Sequence, residues 1–190
     1  MRIVFIRHGK TDSNVMRILD TGFPGAPLNL EGQEQARALP DRLRDEPIEV
    51  VMTSDITRAR QTGEPLAKAL GVPLITDPGV REVWAGDWDM GYDWSDYVDV
   101  LLAWSSDLSR SMLSGEDGWS FLSRFDRAIA ELQDYQCVAV VSHGGALRSW
   151  LALRTDKKVD DDWLLHNTDV VVVEGQPGAW RMLSWTNRQL

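Results

Sequence analysis

Two of the three histidines, His8 and His143, each follow a short aliphatic run and precede a glycine. In an open α/β sheet, ligands bind beyond the carboxyl ends of strands, and glycine there lets the backbone turn sharply and approach a bound group closely. Arg7 adds a planar guanidinium beside the first histidine. Arg58, near the start of a helix that follows another strand-like run, can point to the same end. Two imidazoles, two guanidiniums and turn amides converging on one spot make an anion site suited to phosphoryl oxygens. Arg7 opposes a bound cation, and the histidine spacing is not that of a compact metal centre, so no metal is expected. His166, which follows Trp163-Leu164-Leu165, reads as an ordinary core or rim histidine.

The elements that must carry these groups alternate in type along the chain. Residues 2–6, 49–53, 73–76 and 137–141 read as strands. Asn29 is placed to cap a helix through Arg44, with a bend at Pro40, and Ser54 or Asp55 to cap a helix that stops at Gly71. Leu122, Phe125, Ile129 and Leu132 recur at helical spacing, and Leu147, Trp150 and Leu151 mark a further helix. Residues 169–174 and 180–185 flank Gly175-Gln176-Pro177-Gly178 as a terminal hairpin. Continuous apolar strands interleaved with helices predict an α/β fold: a mostly parallel central sheet with helices on both faces.

The 190 residues fit a single domain, 1–190, and 43% apolar with 26% charged residues is an ordinary globular balance. A formal charge of −9 disfavours nucleic acid and anionic membrane as partners. The single cysteine, Cys137, allows neither an internal disulfide nor a cysteine zinc cluster. No apolar run approaches the roughly 20 residues that span a bilayer. With no secretory signal pattern at Met1, a cytoplasmic location is expected. Residues 82–118 hold nine carboxylates against one cation, Arg110, together with Trp84, Trp88, Trp94 and Trp104. Residues 83–118 read as a small insertion over the carboxyl ends of the strands, covering the active site.

Several segments in order resemble the histidine phosphatase superfamily, the phosphoglycerate-mutase-like proteins. Arg7-His8-Gly9, with Thr11 and Asn14 behind it, is similar to the signature of that family. So are Pro27-Leu28-Asn29-Leu30-Glu31-Gly32, Ser54-Asp55-Ile56-Thr57-Arg58-Ala59-Arg60-Gln61-Thr62, Arg81-Glu82 and Val141-Ser142-His143-Gly144-Gly145. The resemblance implies a phosphatase that hydrolyses a small-molecule phosphomonoester through a phosphohistidine on His8, releasing inorganic phosphate and needing no cofactor. Arg7, Asn14, Arg58, His143 and Gly144 would bind the phosphoryl group. Glu82 would protonate the leaving alcohol and then activate water, with Val83 and Trp84 as an apolar wall that raises its pKa. A 2,3-bisphosphoglycerate-dependent phosphoglycerate mutase, a phosphoprotein or phosphohistidine phosphatase, and a non-enzymatic phospholigand-binding module are the alternatives.

The departures from the family pattern concern the rest of the substrate. Lys10 follows the histidine motif, Gly86-Asp87-Trp88-Asp89-Met90 follows the acidic segment, and Gly115-Glu116-Asp117 precedes the helix carrying Arg124. Asp87, Trp88 and Asp89 are therefore the candidates for substrate selectivity. The acidic surroundings predict a neutral, aromatic or cationic leaving group rather than a phosphoglycerate.

Overall fold

In the computed structural model, which describes residues 1–157 and 164–186, side-chain alternation divides the apolar interior into two layers. Ile3 and Phe5 of β1 (Arg2–Arg7) face one core with Val138 and Val140 of β4 (Cys137–Ser142). Val4 and Ile6 face the other with Ala139 and Val141. The first core is closed by α4 (Ser95–Ala103), α5 (Gly118–Ala130) and α6 (Gly144–Arg154), and the second by α2 (Leu30–Arg42) and α3 (Thr57–Leu70). Both faces of the strands are buried, which is why their sequences are continuously apolar.

With β2 (Val50–Thr53), β3 (Leu74–Thr76), β5 (Val170–Gln176) and β6 (Ala179–Trp185), the sheet has six strands in the order β3-β2-β4-β1-β5-β6. The first four in that order run parallel, and β5 and β6 form the terminal hairpin, antiparallel to β1 and to each other. This is the α/β architecture expected from the sequence.

Local differences have local causes. Asn29 does cap α2, its side chain accepting the Gly32 N–H at 2.9 Å. Pro40 lies within α2, which ends at Arg42 rather than Arg44. Neither Ser54 nor Asp55 caps α3: Ile56 occupies the cap with no side-chain bond. Ser54 Oγ accepts the Ile56 N–H at 3.1 Å, and the Asp55 carboxylate is drawn away to the Arg81 guanidinium at 2.6 Å. A short helix, α1 (Asp12–Met16), was not anticipated; it rests on a reciprocal cap between Thr11 and Asn14.

The acidic segment also contributes core. Trp104 is 1% exposed and stacks on Phe121 with ring centroids 5.4 Å apart. Tyr97, Val100 and Met112 are buried in the same cluster.

Candidate active site

Strand register brings the two histidines together. Arg7 pairs with Ser142 across the parallel β1–β4 ladder, so His8 and His143 are the next residues off adjacent strands. The His8 N–H donates to Ser142 O at 3.0 Å, and the two rings lie 5.1 Å apart. Past these strands the chain turns to opposite faces: α6 packs in the first core and α2 in the second. The resulting crevice is the ligand position of an open α/β sheet. On the far side of β4, β2 leads into α3, whose second residue, Arg58, is 3% exposed and reaches the same crevice.

The proton on His8 is placed by its partners. Its Nδ1 lies 2.7 Å from Gly9 O, and a carbonyl can only accept, so Nδ1 carries the hydrogen. Nε2 then holds the lone pair and accepts from Arg58 Nε at 3.1 Å. Burial, followed by the charges of Arg58 and Arg7, holds the imidazole pKa well below its ordinary value. The ring is therefore a neutral base aimed into a cationic pocket. His143 is fully buried, neither of its ring nitrogens has a partner among the described residues, and burial together with Arg58 lowers its pKa too. Buried polar atoms without partners are rare in folded proteins.

The arginines are held from outside the motifs. Arg58 Nη2 donates to Asp20 O at 2.7 Å and Nη1 approaches Asp20 Oδ1 at 3.4 Å. Asp20 is fixed in turn by Ser13 Oγ and the Ala26 N–H. Arg7 Nη1 donates to Leu165 O, while its buried Nε has no partner among the described residues. Burial lowers both guanidinium pKa values, yet arginine remains charged in proteins. Asn14 spends its Oδ1 on the Thr11 N–H and on Asn167 Nδ2, which also donates to His8 O.

Glu82 sits over the first turn of α6. Oε2 accepts the Gly145 N–H at 3.0 Å, and Oε1 accepts those of Ala146 at 2.6 Å and Val83 at 2.9 Å. The Gly144 N–H, beside Arg7, is the first-turn donor of that helix that Glu82 leaves open. A Cβ at Gly145 would lie 2.7 Å from Tyr97 Oη and 2.9 Å from Glu82 Oε1, so any larger residue must displace one of these side chains. The expected apolar wall is incomplete: Val83 is buried, but Trp84 is 51% exposed.

Arg7, His8, Asn14, Arg58, Glu82 and Gly144 all line one cavity of about 260 Å³. His143 lies beneath it against His8. Asp87, Trp88 and Asp89, the expected selectivity residues, are not among the residues that line it. Hydroxyl partners explain the carboxylates: Asp89 accepts from the Thr21 N–H and Oγ1 at 2.8 and 2.7 Å, and Asp87 from Ser114 Oγ at 3.0 Å. Trp88 packs against the first core. Glu116 pairs with Arg124 at 2.6 Å, and that guanidinium donates to the carbonyls of Gly79, Arg81 and Glu82, so the 115–117 departure braces the Glu82 backbone. From the acidic segment it is Trp94, Tyr97, Val98 and Leu101 that reach the cavity. Sequence reasoning missed Tyr97, Val98 and Leu101, as it missed Asp20, Arg148 and Asn167, and it named Trp94 only as one of the tryptophans of the acidic segment.

A neutral histidine beside two arginines, with a second imidazole and a carboxylate bound at a helix start, is an arrangement suited to phosphoryl-transfer chemistry on an α/β sheet. Residues 3–188 match the family model of the histidine phosphatase superfamily (branch 1), and the chain belongs to that superfamily. It is 31% identical over 159 residues to the adenosylcobalamin/alpha-ribazole phosphatase of Salmonella typhimurium, covering 80% of this chain and 78% of that one. A probable phosphoglycerate mutase of Enterobacter sp. is 28% identical over 201 residues, covering 97% and 90%. The mycobacterial glucosyl-3-phosphoglycerate phosphatase solved with VO3 superposes with a TM-score of 0.81 at 25% identity, covering 97% and 98%. The chain is a phosphomonoester-hydrolysing type of enzyme within this superfamily.

Proposed function

We propose that the protein is a phosphatase for a small-molecule phosphomonoester that works through a phosphohistidine on His8. The observation that carries this reading is the pair of bonds on the His8 ring, Nδ1–H to Gly9 O and Arg58 Nε–H to Nε2, which leave a neutral, oriented nucleophile.

In the free protein the attacking lone pair is covered by Arg58. Substrate binding exchanges that N–H for one donated to a phosphoryl oxygen and uncovers Nε2. Arg7, Asn14, His143 and the Gly144 N–H take the remaining oxygens and the charge that grows on them. Nε2 forms the P–N bond as the bond to the leaving oxygen breaks, and Glu82 gives that oxygen a proton. Glu82 Oε2 accepts only one backbone N–H, whereas Oε1 accepts two, so Oε2 keeps room for the proton. In the second step Glu82 takes a proton from water, the water oxygen attacks phosphorus, the P–N bond breaks and inorganic phosphate leaves. The proton stays on Nδ1, hydrogen-bonded to Gly9 O, throughout. Two arginines at the centre oppose a resident cation, and among the described residues no group of three or more His, Cys, Asp or Glu could hold a metal.

Phosphate release from p-nitrophenyl phosphate and from a panel of phosphorylated metabolites tests the reading. Turnover by the wild type and its loss in His8→Ala is the expected result; turnover that survives in His8→Ala overturns it. A phosphoglycerate mutase on the same site is distinguished by transfer of the phosphoryl group from the phosphohistidine to a phosphoglycerate instead of to water.

A further inference from the structure

Besides Glu82, one other carboxylate lines the phosphate cavity among the described residues, that of Asp20. A carboxylate is out of place in an anion site, because when ionised it can only accept hydrogen bonds and it repels a bare oxyanion. Water screens it little: the Asp20 side chain is 8% exposed and that of Arg58, its ion-pair partner, 3%.

The structural duties of Asp20 do not need this charge. Oδ2 accepts from Ser13 Oγ at 2.8 Å and from the Ala26 N–H at 3.0 Å, bonds that an asparagine oxygen accepts as well. Arg58 is gripped by the Asp20 backbone instead: Nη2 donates to Asp20 O at 2.7 Å, whereas Nη1 only approaches Oδ1 at 3.4 Å. That long contact is all that Oδ1 receives among the described residues. The same guanidinium covers His8 Nε2 through its Nε at 3.1 Å, so Oδ1 and the nucleophile flank one group. Oδ1 is thus a charged acceptor with capacity to spare, beside the nucleophile.

Resting on the phosphatase reading above, we infer that Asp20 makes the site read the proton on its ligand. Oδ1 accepts a hydrogen bond from a protonated phosphoryl oxygen, a short and strong type of bond, and repels an oxygen that has no proton to give. A phosphomonoester can supply that proton, since its second ionisation lies at about pH 6. A sulfate monoester of the same shape has none. The site therefore takes phosphate esters and excludes sulfate esters, and an ester that arrives as the dianion takes up a proton as it binds. The other charged or titratable side chains that line the cavity are Arg7, His8, Arg58, Glu82, Tyr97 and Arg148, of which Glu82 alone is a second carboxylate. Asp20 contacts the transferred group in this scheme and takes no part in breaking the ester bond.

The test compares inorganic phosphate, sulfate and methylphosphonate at pH 9, where all three are dianions and only phosphate still carries a proton. Their dissociation constants are measured by calorimetry on the wild type, Asp20→Asn and Asp41→Asn, which removes the same charge from the exposed face of α2. Phosphate should bind the wild type and Asp41→Asn at least tenfold more tightly than either of the others. In Asp20→Asn the phosphate-to-sulfate ratio should fall below threefold, chiefly because sulfate binds better to an amide that can donate. A wild-type ratio below tenfold overturns the inference. So does a ratio that stays above threefold in Asp20→Asn, which assigns the discrimination to Glu82. Should Asp20→Asn not fold, methylphosphonate decides on the wild type: binding as weak as sulfate upholds the inference, and binding as tight as phosphate overturns it. Failure of the wild type to turn over p-nitrophenyl phosphate removes the phosphatase reading, while the binding ratios still decide the role of Asp20.

Discussion

At His8 the two ring nitrogens have opposite jobs because their partners have opposite hydrogen-bonding character. A carbonyl holds the proton on one side and an arginine occupies the lone pair on the other. Both His8 and His143 have pKa values pushed well below the ordinary imidazole value by burial and nearby guanidiniums. Their ring carbon signals in an NMR titration should therefore stay at neutral positions well below pH 6.5; titration at or above 6.5 contradicts this. The same depression sets the sign of a stability effect. Below about pH 6.5 the unfolded chain binds protons that the native histidines refuse, so stability is full above that pH and falls as the solution is acidified toward the folded-state values. Each histidine adds at most about 1.4 kcal/mol per pH unit to that slope. Melting temperature should drop between pH 7.5 and 5.5, and His143→Asn should flatten the drop. Glu82 has a separable signature. Glu82→Gln should slow single-turnover phosphoenzyme formation about 100-fold or more for an alkyl phosphate, and far less for p-nitrophenyl phosphate, whose leaving group departs without a proton. Equal losses would move the acid role to Asp20, the other carboxylate that lines the cavity among the described residues.

The first turn of α6 is the element that joins the parts of the site. It follows His143, offers the Gly144 N–H and binds the Glu82 carboxylate through Gly145 and Ala146. Gly145→Ala should displace Glu82 or Tyr97, costing about 1–3 kcal/mol in thermal or denaturant unfolding and much of the activity. An alanine variant with wild-type stability and rate would show that the fit is looser than the distances imply. What was legible in the sequence follows the same division. His8, His143, Arg7 and Arg58 stand at strand ends or at a helix start, where period and glycine placement reveal them, and strand register then brings them together. The braces were not legible: Asp20, Asn167 and the Leu165 carbonyl meet the motif residues only through tertiary folding of loops without period. The placement of the selectivity candidates away from the cavity lining was hidden for the same reason. Asp87 and Asp89 look free in sequence, and only the fold supplies Ser114 and Thr21 as their partners.

Across the whole molecule, net charge and local field have opposite signs. A chain of charge −9 surrounds a crevice whose centre holds Arg7 and Arg58 and whose mouth holds Lys10 and Arg17. Acidic surroundings disfavour non-specific anion binding, while a cationic crevice attracts a dianionic ester. kcat/KM for a dianionic ester should accordingly fall as ionic strength rises, and activity should be unchanged after exhaustive chelation. Full loss on chelation with recovery on adding zinc or magnesium would contradict a cage made of side chains alone. Whether the crevice does covalent chemistry is tested most directly by rapid acid-free quench of the enzyme with a ³²P-labelled ester, followed by peptide mapping. The expected product is a base-stable, acid-labile phosphoryl group on His8, present in the wild type and absent from His8→Ala. Label on any other residue, or the same labelled species in His8→Ala, would contradict it.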